Sequence, residues 1–295
     1  MRTVGRWLIG MLCVGAFLSG GTPCAQAAAA EIDLTFVHQW YVEGEPGLLA
    51  VDATSGDVLV NINQNHRIFR YSAEGELLSV FGREGEIPAA LAVDVEGLAL
   101  VAVNINNNCR IIRYDRFGNV VAEWEGEGEV GGIATHPEGY SLVAVNINNN
   151  WHVVKYGPNG ESYPDLADEW ARQLGSAVAI AADPNGGTVV AVNINNNWHV
   201  FRYGAGHELL TSWQVVAGVI ETNGIAVGPN GTVFVNINNS HRTVMYGAGG
   251  EPLGEFGAEG TEPGQFSYPS GIAVTATGLV YVADSGNHRI QVFVL

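Results

Sequence analysis

The sequence is poor in cysteine, in positive charge and in long apolar runs. It has 3 cysteines in 295 residues, and its 13 Lys and Arg stand against 30 Asp and Glu, for a formal net charge of −17. Nucleic-acid binding depends on Lys and Arg that displace counterions from phosphates. The charge therefore argues against a nucleic-acid partner. Solubility is the simplest interpretation of this acidity, and recognition of a cationic partner is the alternative.

The first 27 residues have the pattern of a secretory signal peptide. Arg2 and Arg6 form a basic start, the apolar run at 7–18 is too short to span a bilayer, and small residues at 25–27 suit a cleavage site. We predict an exported protein, periplasmic or extracellular, whose folded domain covers residues 31–295. No later segment is apolar for long enough to cross a membrane, so no membrane span is expected after signal removal.

Removal of the signal would leave Cys109 as the single cysteine. An intrachain disulfide would then be impossible, and stability would come from packing and hydrogen bonds. Cys109 occupies a repeat position that holds His or Trp elsewhere. A variable position of this kind does not predict a catalytic thiol, which needs a base partner.

What the sequence does contain is one segment repeated six times. Val-Asn-Ile-Asn-Asn-Asn, or a close relative of it, begins at residues 60, 103, 145, 192 and 235, and a diverged copy, Val-Ala-Asp-Ser-Gly-Asn, begins at 282. Successive copies start 43, 42, 47, 43 and 47 residues apart. A period in the forties with strand-like content is typical of a propeller.

Each repeat has four short strands with alternating patterns, separated by turns rich in Gly, Pro and Asn. We predict an all-β fold, a six-bladed β-propeller of four-stranded antiparallel blades. The fourth strands end in an aromatic residue, but the chain stops on the third strand of the sixth repeat. Residues 34–40 read like the missing strand, with Trp40 as its aromatic. The N-terminal strand is therefore expected to pair with the C-terminal blade and close the ring.

The third repeat departs from this pattern. Residues 165–174 replace a clean fourth strand and show a helical spacing of apolar residues, with Asp165 placed to cap a helix. We expect a short helix or an extended loop on one face of the ring. Insertions into one unit of a repeat protein often map to the binding face.

The last repeat contains Tyr-Pro-Ser-Gly-Ile-Ala-Val from Tyr268 and Val-Tyr-Val-Ala-Asp-Ser-Gly-Asn-His-Arg-Ile-Gln-Val-Phe up to Phe293. It resembles an NHL repeat, and the resemblance implies a six-bladed propeller. Some NHL proteins bind RNA, which the acidic charge and the signal disfavour here. The Asp of that family occurs only at Asp284. A role for it, such as pairing with the third-strand arginine, is in question in the repeats that carry Ile62, Ile105, Ile147, Ile194 and Ile237 instead.

Two hypotheses fit the asparagines. Alternation along a strand places them opposite the isoleucine, between blades, where buried amides must be hydrogen-bonded. They could form a structural ring bonded to the neighbouring backbone, with the Asn run supplying positive φ in the turns. They could instead form a polar annulus at one channel mouth that binds a sugar or peptide, with two tryptophans as a stacking platform. The candidate ligand residues are Asn63, Asn106, Asn148, Asn195, Asn238, Trp151 and Trp198.

The sequence favours a non-catalytic binding or scaffold propeller, monomeric and without a cofactor, that presents one face to a protein, peptide or glycan. It has no nucleophile elbow, zinc spacing or phosphate loop, and no catalytic residue is predicted. Five of the eight histidines lie in or beside the repeated motif, which argues against a unique ligand set. The alternative is a divalent-metal lactonase or lyase of the six-bladed type, acting in the central channel.

Overall fold

The structure, a computed structural model, describes residues 34–163, 176–215 and 224–295. The predicted signal peptide and the predicted insert at 165–174 lie outside these residues. Within them, 24 strands form six antiparallel sheets of four strands. The strands are β1 (Thr35–Tyr41), β2 (Pro46–Val51), β3 (Val58–Ile62), β4 (Arg67–Tyr71), β5 (Leu77–Phe81), β6 (Pro88–Val93), β7 (Ala99–Ile105), β8 (Asn108–Tyr114), β9 (Val120–Glu127), β10 (Glu129–Thr135), β11 (Ser141–Ile147), β12 (Asn150–Tyr156), β13 (Ser162–Tyr163), β14 (Ser176–Ala182), β15 (Thr188–Ile194), β16 (Asn197–Tyr203), β17 (Leu209–Gln214), β18 (Ile225–Val227), β19 (Val233–Ile237), β20 (Arg242–Tyr246), β21 (Pro252–Phe256), β22 (Pro269–Val274), β23 (Leu279–Asp284) and β24 (Arg289–Val294).

The six sheets are the six blades of a closed ring. Blades one to five run from β2–β5 to β18–β21 in chain order, and blade six combines β22, β23, β24 and β1. The first strand of each blade contacts the first strand of the next, and β2 of blade one contacts β22 of blade six. The predicted six-bladed propeller is confirmed.

The ring closes through its two terminal strands. β1 pairs antiparallel with β24, in a register that runs from Thr35 opposite Val294 to Tyr41 opposite Arg289. Trp40 packs against blade one, where a Cβ on Gly75 would lie 2.6 Å from its ring. Gly75 has a φ of +91°, so both its conformation and its contact with Trp40 require glycine. The predicted closing strand is confirmed.

The core consists of six apolar clusters, and each lies between two neighbouring blades. In β3, Val60 and Ile62 face blade six, whereas Leu59 faces blade two. Asn61 therefore lies on the blade-two side, because side chains alternate along a strand. Each blade therefore buries both of its faces against the neighbouring blades.

The aromatic residues that end the fourth strands join each blade to the next. In blades six, one, two, four and five, an aromatic residue at or near the end of the fourth strand packs on the aromatic residue near the end of the third strand of the following blade. The pairs and their ring-centroid distances are Trp40–Tyr71 at 6.0 Å, Phe81–Tyr114 at 5.1 Å, Trp124–Tyr156 at 6.1 Å, Trp213–Tyr246 at 5.7 Å and Phe256–Phe293 at 5.0 Å.

Buried ion pairs hold the turns between the first and second strands, on the side of the ring opposite the repeated motif. Arg70 donates to Asp52 and to Asp57, each at 2.7 Å, and to the carbonyl oxygen of Gly97 in blade two. Arg113 pairs with Asp94, and Arg202 pairs with Asp183. The arginine that directly precedes the last tyrosine of the third strand thus fixes the first turn of its own blade. Arg70 also fixes the corresponding turn of the next blade.

Loss of the closing strand should weaken the whole ring. Removal of β1 should lower the melting temperature of the domain as a single transition, and Trp40→Ala alone should cost about 3–5 kcal/mol in urea denaturation. The neighbouring Tyr41 is 69% exposed, and Tyr41→Ala should change stability by less than about 0.5 kcal/mol. Equal effects of the two changes would contradict the closure described above.

Stability should depend on pH through Asp52. Burial raises the pKa of this carboxyl, but hydrogen bonds from the backbone N–H groups of Thr54 and Ser55 and the charge of Arg70 outweigh burial and lower it below 3.8. A lowered pKa stabilises the fold above the unfolded-state value, and this stabilisation is lost as pH falls through the folded-state value. Asp52→Asn should therefore cost about 3 kcal/mol at neutral pH, and the difference should shrink below about pH 3.8.

The control for this prediction is a carboxylate on the same side that is exposed. Glu96 contacts Arg113 at 3.1 Å, but 64% of its side chain is exposed. Glu96→Gln should change the free energy of unfolding by less than about 1 kcal/mol, since exposed ion pairs contribute little. A Glu96 effect as large as that of Asp52 would contradict the assignment of stability to burial.

Candidate binding face

The repeated motif ends in a hairpin turn, and these turns share one side of the ring. Because β2 pairs antiparallel with β3, the segment that leads into each blade lies on this side as well. The N–H of Asn63 donates to the carbonyl of Glu45 in that segment. We call this side the Asn-motif face. It is formed by the turns 63–66, 106–107, 148–149, 195–196, 238–241 and 285–288 and by the described connections between blades, taken with the strand ends that flank them, 42–46, 82–88, 125–130 and 257–268.

The turns are of two kinds. In blades two to four, two asparagines with positive φ form a two-residue hairpin, such as Asn106 at 51° and Asn107 at 63°. Asn tolerates this left-handed region better than most residues. The predicted use of the Asn run for positive φ is confirmed in these blades. In blades one, five and six the turn has four residues, and its last residue, His66, His241 or His288, takes the positive φ.

The turn type changes the strand pairing by two residues. Asn61 lies opposite Ile68 in blade one, whereas Asn104 lies opposite Cys109 in blade two. A shift of one residue would turn every side chain to the other face, but a shift of two preserves the alternation. Both kinds of blade therefore point the second residue of the motif toward the following blade.

The fourth residue of the motif lies in the turn itself. Asn63, Asn106, Asn148 and Asn195 are exposed, and Asn238 is half-buried, with its Nδ2 3.5 Å from the carbonyl oxygen of Pro269. Of these five predicted ligand residues, Asn63 borders the cavity at the centre of the face. Binding of a ligand by the five stays a prediction.

The second residue of the motif joins blades. Asn104 accepts a hydrogen bond from the N–H of Val130 at 2.8 Å, and its Nδ2 lies 3.3 Å from the carbonyl of that residue in blade three. Asn236 donates to the carbonyls of Ser270 and Gly271 in blade six and accepts from the hydroxyl of Thr243. The structural hypothesis for the asparagines is therefore supported at this position.

Asn61 differs from Asn104 and Asn236. Its side chain is 4% exposed, and its Nδ2 has no hydrogen-bond partner among the residues that the structure describes. Pro88 of blade two pairs with Val103 as Val130 of blade three pairs with Val145, and a proline has no N–H to donate. Ile68 stands opposite Asn61 where blade five has the hydroxyl of Thr243 opposite Asn236.

A cavity of ≈ 380 Å³ opens at the centre of the Asn-motif face. Its walls come from the first strands of blades six, one, two and three, with Gly47, Pro88 and Val130, and from the motif of blades one and two, with Asn61, Asn63 and Asn104. A Cβ on Gly47 would lie 2.4 Å from the Oδ1 of Asn63. Glycine at this position therefore leaves the amides of blade one at the cavity wall.

The described connections on this face are strongly acidic. They contain one arginine, Arg83, and the nine glutamates Glu43, Glu45, Glu84, Glu86, Glu125, Glu127, Glu129, Glu259 and Glu262. Arg110 pairs with Glu86 at 2.9 Å and with Glu125 at 3.3 Å. Arg83 binds Glu123 of the fourth strand, and this hydrogen bond lowers the pKa of that carboxyl. Glu129 directly precedes Val130 of the cavity wall, and Glu45 lies two residues before Gly47 of that wall.

Trp151 and Trp198 lie within the core. Each is buried in the cluster between its own blade and the next. Cys109 occupies the same place in blade two, and burial raises the pKa of its thiol to about 11. The two tryptophans thus take part in the packing between blades, and a stacking role for them stays a prediction.

Asp284 forms the centre of a buried network in blade six. It accepts hydrogen bonds from Arg289 Nε at 2.7 Å and from the N–H of Ser267 at 2.6 Å. Arg289 also donates to the carbonyls of Thr261, Glu262 and Gln265, which fixes the connection 257–268. Pairing of this Asp with the third-strand arginine is thus present in the sixth blade. Arg110 and Arg242 pair with glutamates instead.

Two further observations concern the described residues alone. No three His, Cys, Asp or Glu side chains among them lie close enough together to hold a metal ion. None of the helices found there is long and apolar enough to cross a membrane. The lactonase or lyase alternative would place such a ligand set in the channel, and it stays untested.

Residues 266–293 match the model of the NHL repeat. Three curated proteins are similar over a short segment: the B-box type zinc finger protein ncl-1 of Caenorhabditis elegans, 56% identical over 39 residues, the human E3 ubiquitin-protein ligase TRIM32, 54% over 41 residues, and the protein brain tumor of Drosophila melanogaster, 54% over 39 residues. These segments are 13–14% of this chain and 4–6% of the relatives.

Solved structures share the fold over most of the chain. The β-propeller domain of Cps50 (Swd1) from Myceliophteria thermophila has a TM-score of 0.64 at 12% identity and covers 89% of this chain and 99% of its own. A catalytically inactive variant of virginiamycin B lyase from Staphylococcus aureus, with quinupristin, has a TM-score of 0.55 at 14% identity, with coverages of 85% and 80%. Identities this low show the propeller fold alone.

Asn104 and Asn61 should respond oppositely to the same substitution. Asn104→Leu removes two hydrogen bonds between blades and should lower the free energy of unfolding by about 1–2 kcal/mol. Asn61→Leu removes a buried donor without a protein partner, so stability should stay the same or rise by about 1 kcal/mol. Urea denaturation of the two variants measures both effects. A loss at Asn61 that equals the loss at Asn104 would contradict the assigned hydrogen bonds.

Proposed function

We propose that this six-bladed propeller, with an NHL repeat in its sixth blade, is an exported, non-catalytic binding protein that receives a protein or peptide on its Asn-motif face. The observation that carries the proposal is the ≈ 380 Å³ cavity of that face, whose wall contains the amide residues Asn61, Asn63 and Asn104. Concave sites with a few convergent polar groups are the usual ligand sites of proteins. One relative is by its name a ubiquitin-protein ligase, and therefore acts on other proteins.

The asymmetry of the face supports one site rather than six equivalent ones. The cavity belongs to blades six, one, two and three, and within it Asn61 lacks the protein hydrogen bonds that Asn104 makes. A symmetric ring would satisfy every amide in the same way. A glycan would also suit amide groups, which both donate and accept hydrogen bonds.

Export is supported by the signal-like pattern of residues 1–27. The mature protein should begin near residue 28, and deletion of residues 1–27 should retain it in the cytoplasm. Mass spectrometry of the exported fraction identifies the first residue of the mature protein. Fractionation of cells shows where the deletion variant is located. An uncleaved cytoplasmic product from the full sequence would contradict export.

The face can be tested by photo-crosslinking in that exported fraction. A photoreactive residue at Asn63, on the Asn-motif face, should capture a partner protein. The same residue at Phe117, which is 72% exposed on the opposite side of the ring, serves as the matched control. Capture at Phe117 alone, or equal capture at both positions, would contradict the proposed face.

The alternative function, a divalent-metal lactonase or lyase in the channel, makes a different prediction. A cation that binds the folded protein raises its melting temperature. Under the binding-protein proposal, Mg²⁺, Ca²⁺ and Mn²⁺ leave the melting temperature unchanged. A saturable increase with one of them would favour the enzyme.

A further inference from the structure

We propose that the seam between blades three and four is an acid-sensitive joint of the ring, in which protonation of His136 opens the turn 136–140. Mild acid would loosen this one seam while the other seams hold. The joint lies on the side of the ring opposite the Asn-motif face, so it goes beyond the proposed function and does not depend on it.

Blade three lacks the ion pair that holds the corresponding turn in three other blades. In blades one, two and four, an aspartate of the turn pairs with an arginine of the third strand. The same two positions of blade three hold His136 and Lys155, the single lysine of the sequence. The described carboxylates form no ion pair with this lysine, whose ammonium lies 3.6 Å from the centroid of the Tyr140 ring.

His136 makes the contact with the next blade that arginine makes in blades one and four. Its Nε2 lies 2.6 Å from the carbonyl oxygen of Gly186 in blade four. Arg70 and Arg202 donate to the equivalent carbonyls of blades two and five, at 3.4 and 2.7 Å. The histidine therefore replaces a permanently charged donor by a group whose charge depends on pH.

The hydrogen bonds of His136 fit the neutral ring. Its Nε2 faces a carbonyl and carries the proton, whereas its Nδ1 accepts the N–H of Glu138 at 3.2 Å. The residue is 3% exposed, and its ring stacks on Tyr140 at a centroid distance of 4.1 Å. Protonation turns Nδ1 into a donor that faces another N–H, so the bond to Glu138 is lost.

The carboxylates around His136 do not replace the missing aspartate. They are Glu138 on its own turn, and Asp183 and Glu208 in blade four. Asp183 is buried and already pairs with Arg202. Both glutamates are exposed, and exposed carboxylates contribute little to ion pairing. A charged imidazole that is buried here without a paired carboxylate is costly.

The phenolic and cationic neighbours also oppose a charged His136. Burial raises the pKa of Tyr140 to about 12, so this ring stays a neutral phenol. Burial first and the positive charge of Lys155 second lower the pKa of His207 in blade four. A histidine with a lowered pKa stabilises the fold above its unfolded-state value, about 6.5, and this stabilisation is lost as pH falls through the folded-state value. Acid therefore acts on the same seam through His207 as well.

Installing the pair of the other blades should remove the acid sensitivity. The melting temperature of the unmodified chain should fall between about pH 7.5 and about pH 5.5, above the range in which Asp52 titrates. In the double variant His136→Asp with Lys155→Arg, this fall should be smaller by at least about 3 °C. His152→Gln removes a half-buried histidine from the same strand as Lys155 and should keep the full fall. Equal falls in all three chains would overturn the inference.

Measurements on the unmodified chain decide the mechanism also when the double variant does not fold. Imidazole nitrogen chemical shifts should show that His136 carries its proton on Nε2 at about pH 7.5. Hydrogen exchange followed by mass spectrometry should show residues 136–140 and 183–187 losing protection by at least about threefold on acidification, relative to the equivalent turn 94–98 of blade two. A proton on Nδ1 at the higher pH, or a parallel change in the three turns, would overturn the inference.

Discussion

Packing of blade on blade is the constraint on which the structure depends. Each sheet is apolar on both faces, and every cluster of the core takes its members from two adjacent blades. A single blade therefore has no core of its own, and a row of blades would leave two faces in water. Closure by β1 against β24 removes those two ends. The bonded asparagines, the aromatic pairs and the arginines all join adjacent blades. They do so at different distances from the ring axis or on different sides of the ring.

Much of the fold was predictable from sequence because each copy of the repeat forms the same structural unit, so the repeat period gives the size and number of the blades. The period of the motif indicated the blades, and the position of Trp40 identified the closing strand. Alternation placed Ile62 and Asn61 on opposite faces, as β3 shows. The arginine–aspartate pairs were missed, although Arg70, Arg113 and Arg202 each directly precede the third-strand tyrosine. That recurrence, together with a turn Asp in the same repeats, was a readable signal.

The candidate site was harder to predict because it depends on contacts between repeats. The repeat pattern indicated the fourth residue of the motif, whereas Asn61, whose buried amide nitrogen has no partner among the described residues, is the second. Its difference from Asn104 arises in the next blade, where Pro88 lacks the N–H that Val130 offers. No pattern within one repeat contains that information. The two-residue shift in strand pairing between blades one and two also cannot be predicted from the repeats, because both repeats have the same length from the motif to the tyrosine.

The central claim is that Asn61, unlike Asn104 and Asn236, makes no hydrogen bond from its amide nitrogen to the following blade. A crystal structure at atomic resolution tests it most directly, because the hydrogen-bond partners of each asparagine are then observed. We expect Asn104 and Asn236 to bond the backbone of the following blade, and Asn61 Nδ2 to have no protein acceptor. An Asn61 Nδ2 that donates to a protein carbonyl would contradict the account.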